Sequence, residues 1–559
     1  MLLEVKNLRT HLQTGNTIVK AVDDVSFTIN KGETYCLVGE SGSGKSISAL
    51  SIIQLLPSDI ASHPSGQIHF DYRHSDGDIE QVDMLQLADS RKRAIRGSRI
   101  AMIFQEPMTS LNPVYTIGDQ IIEALQLHDA NLDYQTARAR AIEALAQVQI
   151  PSPEERVDEY PHRLSGGQRQ RVMIAMAMAC EPDLLIADEP TTALDVTVQA
   201  EILRLMQELQ QRRGMGILFI THDFGVVAKM AHRLGVMRLG KIVEEGPLSK
   251  LLHSPQHEYT KQLIAALPEN LARKRSITSA HETHPQTTEL SDQPPLLELK
   301  NVKVYFPIKK GVLKRIVGYV KAVDDVTFNI RKGRILALVG ESGCGKTTLG
   351  RAIIRLINPT AGTIAIEGQD ITGLSAKQML PFRRKMQIIF QDPMSSLNPR
   401  LSIAATLTEP MAVHHIGQSK DERIDMAREI LKQVQLDPDY LWRYPHEFSG
   451  GQRQRIGIAR ALVLNPKFIV CDEITSALDV SVQAEVLQLL LQLQRDHDLT
   501  LLFITHNIGV VEFVSDEMAV MYDGKIVEHG STHQVSNQPR HEYTRKLLAA
   551  VPRVPLNSN

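Results

Sequence analysis

GESGSGKS, from Gly39 to Ser46, decides how this chain folds, and it has a counterpart, GESGCGKT, from Gly340 to Thr347. Each copy follows a short apolar run, TYCLV in the first case and ILALV in the second. Both fit the pattern GxxxxGK[ST] between a strand and a helix, where glycines let successive backbone N–H groups curl around a phosphate. The sequence therefore predicts two α/β units, each with a phosphate-binding loop.

The side chains of these loops include candidate phosphate contacts and candidate magnesium ligands. The lysines can reach the β- and γ-phosphates of a nucleotide, and the last hydroxyl of each loop is a candidate magnesium ligand. A single match can be an accidental glycine-rich turn, but two matches after strand-like runs disfavour an accident. The candidates are Gly39, Glu40, Ser41, Gly42, Ser43, Gly44, Lys45 and Ser46, then Gly340, Glu341, Ser342, Gly343, Cys344, Gly345, Lys346 and Thr347.

Two later apolar runs, DLLIADEP and KFIVCDEI, each end in a pair of carboxylates. The alternative interpretation is a strand capped by a charged turn. Against it, a buried strand would deliver Asp188 or Asp472 to the magnesium ion of its own loop. Glu189 and Glu473 would then polarise a water for in-line attack on the γ-phosphate.

A histidine and a glutamine complete the candidate chemistry of each half. His222 in THD and His506 in THN follow strand-like runs, and each lies 33 residues after the glutamate of its half. A lone histidine is usually structural, but this repeated spacing makes both candidates for contacting the γ-phosphate. Gln105 in IFQEP and Gln391 in IFQDP also end strands, and we expect them to contact magnesium and the attacking water.

The whole chain is an internal duplication. VKAVDDVSF at Val19 returns as VKAVDDVTF at Val320, and SGGQRQR is identical at Ser165 and Ser449. From that segment onward each motif recurs 284 residues later. We predict a first domain over residues 1–268, a flexible linker rich in Thr, Ser, Pro and charge over 269–295, and a second domain over 296–559.

Composition restricts the class of protein. The chain has 559 residues and a formal charge of −2, from 62 basic and 64 acidic side chains, so nothing marks a general nucleic-acid-binding surface. Its longest apolar runs are shorter than the roughly 18 residues of a membrane span, and the first residues do not form an export signal. Four scattered cysteines form no CxxC pair. We expect a cytoplasmic protein without an iron–sulfur cluster.

Together with LSGGQ at Leu164 and FSGGQ at Phe448, these motifs resemble the signature, Walker A and Walker B motifs of ABC-type ATPases, twice and over nearly the whole chain. The resemblance implies an α/β fold of two tandem P-loop ABC-type ATPase domains. Each would have a mainly parallel sheet core, an antiparallel β subdomain and a helical subdomain that carries the signature. It also implies D-loops at Ala193 and Ala477, and ATP with Mg²⁺ as cofactors.

In this family two domains close head to tail, so that the signature of one covers the ATP held by the other. The resemblance therefore implies two composite, hydrolytic sites. The helix that follows each signature presents its amides to an anion. Site one would combine Lys45, Ser46, Gln105, Asp188, Glu189 and His222 with Ser449, Gly450, Gly451 and Gln452. Site two would combine Lys346, Thr347, Gln391, Asp472, Glu473 and His506 with Ser165, Gly166, Gly167 and Gln168.

The adenine contact is a departure from the family pattern. The family usually stacks adenine on an aromatic residue of the opening strand, and Phe306, with Tyr305 beside it, fits that position in the second half. The matching residue of the first half is Leu12, next to His11. We expect weaker adenine packing there, or packing that uses the imidazole.

Other segments resemble the oligopeptide, dipeptide and nickel importer branch, and the fused ATPase subunits of microcin C and peptide importers. They include FQEPMTSLNP, FQDPMSSLNP and two tails, PQHEYTKQLIAALP from Pro255 and PRHEYTRKLLAAVP from Pro539. The resemblance implies import of peptides or peptide-like compounds at the inner face of the cell membrane, through two integral membrane permeases and a substrate-binding protein. Nickel and modified peptide antibiotics stay open as cargoes. The tails are most simply packed terminal helices.

Two rivals share the tandem organisation. Ribosome-associated ABC proteins also pair two such domains without membrane spans, but their linker is typically longer, helical and charged. Fused sugar-importer ATPases usually have one degenerate half. Neither rival explains the tails or the SLNP segments. KKGVLKR, from Lys309 to Arg315, is expected to be a solvated hairpin rather than a lipid contact.

Overall fold

The computed structural model describes residues 1–74, 77–105, 110–191, 194–271, 294–311, 314–392, 396–476 and 478–554. The chain divides into two compact units, one formed by Met1–Ile264 with the segment from Pro552, the other by Ala265–Val551. Most of the predicted linker, residues 272–293, and the predicted D-loop positions Ala193 and Ala477 lie outside the described residues.

The described strands of the first unit form two sheets. An antiparallel sheet has the order β2-β1-β4-β5, and a six-stranded sheet has the order β10-β9-β3-β8-β7-β6, parallel except for the last hairpin. The strands are β1 (Leu3–Thr14), β2 (Thr17–Ile29), β3 (Thr34–Val38), β4 (Ala61–Arg73), β5 (Ile79–Asp83), β6 (Ile100–Ile103), β7 (Leu184–Asp188), β8 (Gly216–Ile220), β9 (Arg233–Arg238) and β10 (Lys241–Pro247).

The helices of the first unit separate the parallel strands, and those between β6 and β7 form a helical subdomain. The helices are α1 (Lys45–Ile52), α2 (Asp89–Ile95), α3 (Ile117–His128), α4 (Tyr134–Gln147), α5 (Pro153–Arg156), α6 (Gly166–Met178), α7 (Val196–Arg213), α8 (Phe224–Met230), α9 (Leu248–His253) and α10 (Glu258–Ala265).

The second unit repeats both sheets. The antiparallel sheet has the order β12-β11-β14-β15 and the mainly parallel sheet the order β16-β17-β18-β13-β19-β20. The strands are β11 (Leu297–Lys310), β12 (Arg315–Ile330), β13 (Ile335–Val339), β14 (Ala361–Ile366), β15 (Gln369–Asp370), β16 (Met386–Ile389), β17 (Phe468–Asp472), β18 (Thr500–Ile504), β19 (Glu517–Tyr522) and β20 (Lys525–Ser531).

The helices of the second unit follow the same plan. They are α11 (Lys346–Ile353), α12 (Ala376–Lys385), α13 (Ile403–Val413), α14 (Lys420–Gln433), α15 (Gly450–Leu462), α16 (Val480–Asp496), α17 (Ile508–Val514), α18 (Thr532–Asn537) and α19 (Glu542–Ala550). In the described part of the chain, no helix has the length and apolar character to cross a membrane.

Buried apolar strands position the chemistry. All five residues of β3, β7 and β8 are buried, as are those of β13, β17 and β18. Such continuous apolar runs are typical of parallel strands covered on both faces. Since these strands are parallel and adjacent, their carboxyl ends meet at one edge of the sheet, where ligands bind in open α/β folds. The predicted loops, carboxylates and histidines therefore lie at the same edge within each unit.

Candidate active site

The loop after β3 holds its lysine in a buried position. Lys45 is 6% exposed, and its Nζ donates hydrogen bonds to the carbonyl oxygens of Gly39, at 2.7 Å, and Glu40, at 2.8 Å. Gly44 has a φ of 102°, and a Cβ there would lie 2.2 Å from the carbonyl oxygen of Ala21. Only glycine fits this backbone. The loop thus closes around the ammonium group at the N-terminus of α1.

A hydroxyl and a carboxylate meet beside this lysine. Ser46 Oγ donates to Asp188 Oδ1 at 3.1 Å, and in the second unit Thr347 Oγ1 donates to Asp472 Oδ1 at 2.9 Å. Burial raises the pKa of both aspartates, although the hydroxyl hydrogen bonds act in the opposite direction. Each unit therefore presents two oxygen atoms, one hydroxyl and one carboxylate, of the kind that Mg²⁺ prefers as ligands.

The glutamate after β7 is held by two side chains. Gln105 Nε2 donates to Glu189 Oε2 at 3.0 Å, and His222 Nδ1 lies 3.0 Å from Glu189 Oε1. The sequence predicted magnesium and water contacts for the glutamine and a γ-phosphate contact for the histidine. Those contacts stay predictions, because in the structure both groups bind the glutamate carboxylate. The predicted residues are nevertheless brought within hydrogen-bonding distance.

The second unit repeats this arrangement. Gln391 Nε2 donates to Glu473 Oε2 at 2.8 Å, and His506 Nδ1 lies 3.4 Å from Glu473 Oε1. Burial opposes ionisation of Glu473, but the hydrogen bond and charge of His506 and the charge of Lys346 outweigh it and lower the pKa of the carboxyl. Glu473 is therefore held as the carboxylate, the form required of a general base.

Both glutamates occupy a strained backbone position. Glu189 and Glu473 each have a φ of 47°, in the left-handed region that glutamate rarely adopts. Each N–H donates to the last residue of the neighbouring strand, Ile220 or Ile504, at 2.9 Å. Strain of this kind persists where surrounding contacts impose it, and it concentrates at functional sites.

The opening strands place Leu12 and Phe306 at equivalent positions. Leu12 pairs with Val19, and Phe306 pairs with Val320, the same valine of the repeated VKAVDD segment. Leu12 lines a cleft of about 470 Å³ with loop residues and Glu189. Phe306 is 41% exposed. The ring therefore lies where the first unit has an aliphatic side chain.

The signature segments begin helices α6 and α15. Ser165 Oγ accepts the N–H of Gln168, whose Oε1 accepts the N–H of Ser165, and Ser449 and Gln452 form the same capping box. A Cβ at Gly167 would lie 2.6 Å from a methyl of Val198. Gly451 has the same constraint against Val482. The serine is thus explained by its role as helix cap, and the glycine by the lack of space for a side chain next to the valine.

Sequence reasoning missed one contact of the phosphate-binding loops. The tails were predicted to be packed terminal helices, and α10 and α19 do begin inside HEYT. However, the tyrosine hydroxyl of each tail accepts a backbone N–H of the loop, Tyr259 from Glu40 and Tyr543 from Glu341. The identical HEYT in both halves was the only sequence signal.

Comparison with known protein families identifies the family to which the chain belongs. It matches the family described as ABC transporter over residues 22–192 and 323–476. It matches the oligopeptide/dipeptide transporter C-terminal region over residues 243–293 and 527–558. The chain therefore belongs to the ABC transporter family, with both halves of the oligopeptide/dipeptide type. It is a transport ATPase with two tandem cassettes, as the motifs predicted.

Two relatives align with almost the whole chain. The peptidoglycan transport ATP-binding protein YejF of Agrobacterium fabrum is 50% identical over 549 residues, which cover 98% of this chain and 96% of the relative. The glutathione import ATP-binding protein GsiA of Salmonella paratyphi A is 46% identical over 562 residues, which cover 98% and 89%. Both relatives therefore align with the two fused halves over nearly the whole of this chain.

Proposed function

We propose that this chain is the ATP-hydrolysing motor of an importer for peptides and peptide-like compounds. It works at the cytoplasmic face of the cell membrane through two separate permeases, which receive cargo from a substrate-binding protein. The observation that carries the proposal is the pair of intact sites, each with its buried lysine, hydroxyl–aspartate pair and glutamate held by glutamine and histidine. A motor with both sites intact, joined to duplicated importer tails, fits this role.

The donors of each unit fit a magnesium ion. Ser46 with Asp188, and Thr347 with Asp472, supply oxygen ligands, and Gln105 and Gln391 are further candidates. A bound magnesium would neutralise charge on the β- and γ-phosphate oxygens. The loop amides and the lysine bind the same phosphates, so their contribution is to fix the nucleotide in line with the glutamate.

Hydrolysis requires the glutamate to exchange partners. Glu189 Oε1 and Oε2 face His222 and Gln105, so an attacking water must enter this cluster to donate its proton to the carboxylate. The released histidine can then contact the γ-phosphate, and the glutamine can orient the water. We further propose that, in the closed state, Ser449, Gly450, Gly451 and Gln452 complete the first site and Ser165, Gly166, Gly167 and Gln168 the second.

Uptake of labelled cargo tests the transport role. Relatives are named for peptidoglycan transport and glutathione import, so a muropeptide, glutathione and an unmodified tripeptide form a suitable cargo panel. In cells that lack this chain, the parent sequence should restore uptake of at least one of the three, and a Glu189→Gln, Glu473→Gln variant should restore none. Equal uptake with both sequences would contradict the proposal.

The nucleotide sites should differ in their adenine contact. In Leu12→Phe, a ring placed at the position of Phe306 should tighten ATP binding at the first site by roughly fivefold, since one aromatic contact contributes on the order of 1 kcal/mol. Titration with a fluorescent ATP analogue measures this. Phe306→Leu is the reciprocal variant and should weaken the second site. Unchanged affinity in both variants would count against an adenine contact at this position.

A further inference from the structure

The tail of each half is anchored beside the phosphate-binding loop of the same unit. Glu244 of β10 accepts the backbone N–H groups of Gln256, at 2.7 Å, and His257, at 3.1 Å. His257 Nδ1 in turn accepts the N–H of Tyr259 at 3.1 Å, which starts helix α10. The tyrosine is therefore placed by a chain of hydrogen bonds rather than by apolar packing alone.

Its hydroxyl ends at the loop. Tyr259 is 4% exposed, and its Oη accepts the backbone N–H of Glu40 at 3.3 Å. Burial, with the Glu40 carboxylate nearby, raises the pKa of the phenol to about 12, so it stays protonated. In the second unit Tyr543 Oη accepts the N–H of Glu341 at 3.0 Å. The contact thus occurs in both halves.

One peptide group links this contact to the lysine. The N–H of Glu40 and the C=O of Gly39 belong to the same planar peptide and point in opposite directions. Tyr259 binds its N–H end, and Lys45 Nζ binds its C=O end at 2.7 Å. In the second unit, Lys346 Nζ binds Gly340 O at 2.8 Å while Tyr543 binds the other end of that peptide. The phenol and the ammonium therefore clamp one peptide from both sides.

The first residue of this peptide must be glycine in both loops. A Cβ at Gly39 would lie 2.2 Å from the carbonyl oxygen of Met237, and one at Gly340 would lie 2.2 Å from that of Met521. Each glycine also has a φ near the edge of the left-handed region, 155° and 153°. Glycine loses more conformational freedom than other residues when it is ordered. Because the tyrosine already holds the adjoining N–H, part of this entropy is lost before nucleotide binds, and the entropy cost of binding is smaller.

The two halves preserve the hydroxyl contact although they change the packing of the ring. The Arg238 guanidinium lies over the Tyr259 ring, 4.7 Å from its centroid. The equivalent residue of the second half, 284 positions later, is Tyr522, whose ring lies 4.3 Å from that of Tyr543. The tyrosine ring therefore packs against a guanidinium in the first half and against another aromatic ring in the second, whereas its hydroxyl accepts the same loop N–H in both.

We infer that Tyr259 and Tyr543 are positioning residues for ATP binding, which act by holding the Gly-Glu peptide that presents its carbonyl to the loop lysine. This inference rests on the proposed ATP sites. It gives the importer tail a direct role at the nucleotide: a tail displaced from its anchor would release the loop and lower ATP affinity in its own half.

The test is the full-length Tyr259→Phe, Tyr543→Phe double variant, which keeps both rings and removes only the hydroxyls. We expect the ATP concentration for half-maximal hydrolysis, and the dissociation constant of a fluorescent ATP analogue, to rise about fivefold, as for the loss of one ordinary hydrogen bond per site. The maximal rate should fall less than about twofold, because the contact supports ground and transition states equally.

Matched controls separate positioning from stability. Tyr134→Phe makes the same chemical change at an exposed tyrosine of the helical subdomain and should leave both constants unaltered. The melting temperature of the nucleotide-free double variant should fall by no more than the roughly 2–4 °C expected for one lost hydrogen bond per domain, and the upward shift on adding ATP should be smaller than in the parent. A lowered melting temperature with unchanged ATP affinity would overturn the inference. A parent chain that binds no ATP would instead overturn the proposed function.

Discussion

Replacement of both Lys45 and Lys346 by alanine is expected to weaken ATP binding by at least about 100-fold. Both side chains are buried, at 6% and 4% exposure, and each is the cation that we propose the loop presents to the phosphates. Removing one partner of a buried charge pair typically costs roughly 3–5 kcal/mol, which corresponds to more than two orders of magnitude in affinity. Titration of the purified chain with a fluorescent ATP analogue measures the loss.

Two exposed lysines provide the control for this prediction. Lys250 of α9 and Lys377 of α12 are exposed and belong to neither phosphate-binding loop, so Lys250→Ala, Lys377→Ala makes the same change in net charge outside both loops. It should bind ATP as the parent does. Affinity within a few-fold of the parent in the Lys45→Ala, Lys346→Ala variant would show that these loops are not the main phosphate contacts.

Replacement of Glu189 and Glu473 by glutamine should separate binding from hydrolysis. The double variant is expected to hydrolyse ATP about 100- to 10,000-fold more slowly, the usual contribution of a general base, while it still binds ATP. Each single variant should lose at least half of the activity, because both sites carry the full set of residues. Phosphate release at saturating ATP, measured beside nucleotide affinity, distinguishes these effects.

The comparison for the glutamate variants uses exposed carboxylates. Glu123 of α3 and Glu409 of α13 lie on the surface of the helical subdomains, so Glu123→Gln, Glu409→Gln should retain the activity of the parent. Full activity in either Glu189→Gln or Glu473→Gln alone would contradict a motor with two working sites.

Local chemistry explains why much of this fold was predictable. GESGSGKS and DLLIADEP specify strand, turn and helix within a few residues, and parallel strands must bring their ends to one edge. Gln105, Glu189 and His222 could therefore be assigned to one cluster. Which of these neighbours pair could not be read from spacing, since it depends on side-chain reach across three strands.

Contacts between segments that are distant in sequence were harder to predict. Tyr259 lies 219 residues from Glu40, and Tyr543 lies 202 from Glu341, so no fixed spacing marks the contact. The tail also satisfies an ordinary pattern for an amphipathic helix, which conceals a polar role for one side chain. Duplication was the informative signal, because the same four residues, HEYT, recur while their ring partners change.

The most direct test of the two-permease motor is affinity purification of the full chain from gently solubilised membranes, followed by mass spectrometry and an ATPase assay of what is recovered. The account predicts two integral membrane permeases of the peptide-importer kind in the eluate, and ATP hydrolysis that rises when they are present. Ribosomal proteins and RNA in place of permeases would leave the ATPase chemistry intact but contradict the transport role.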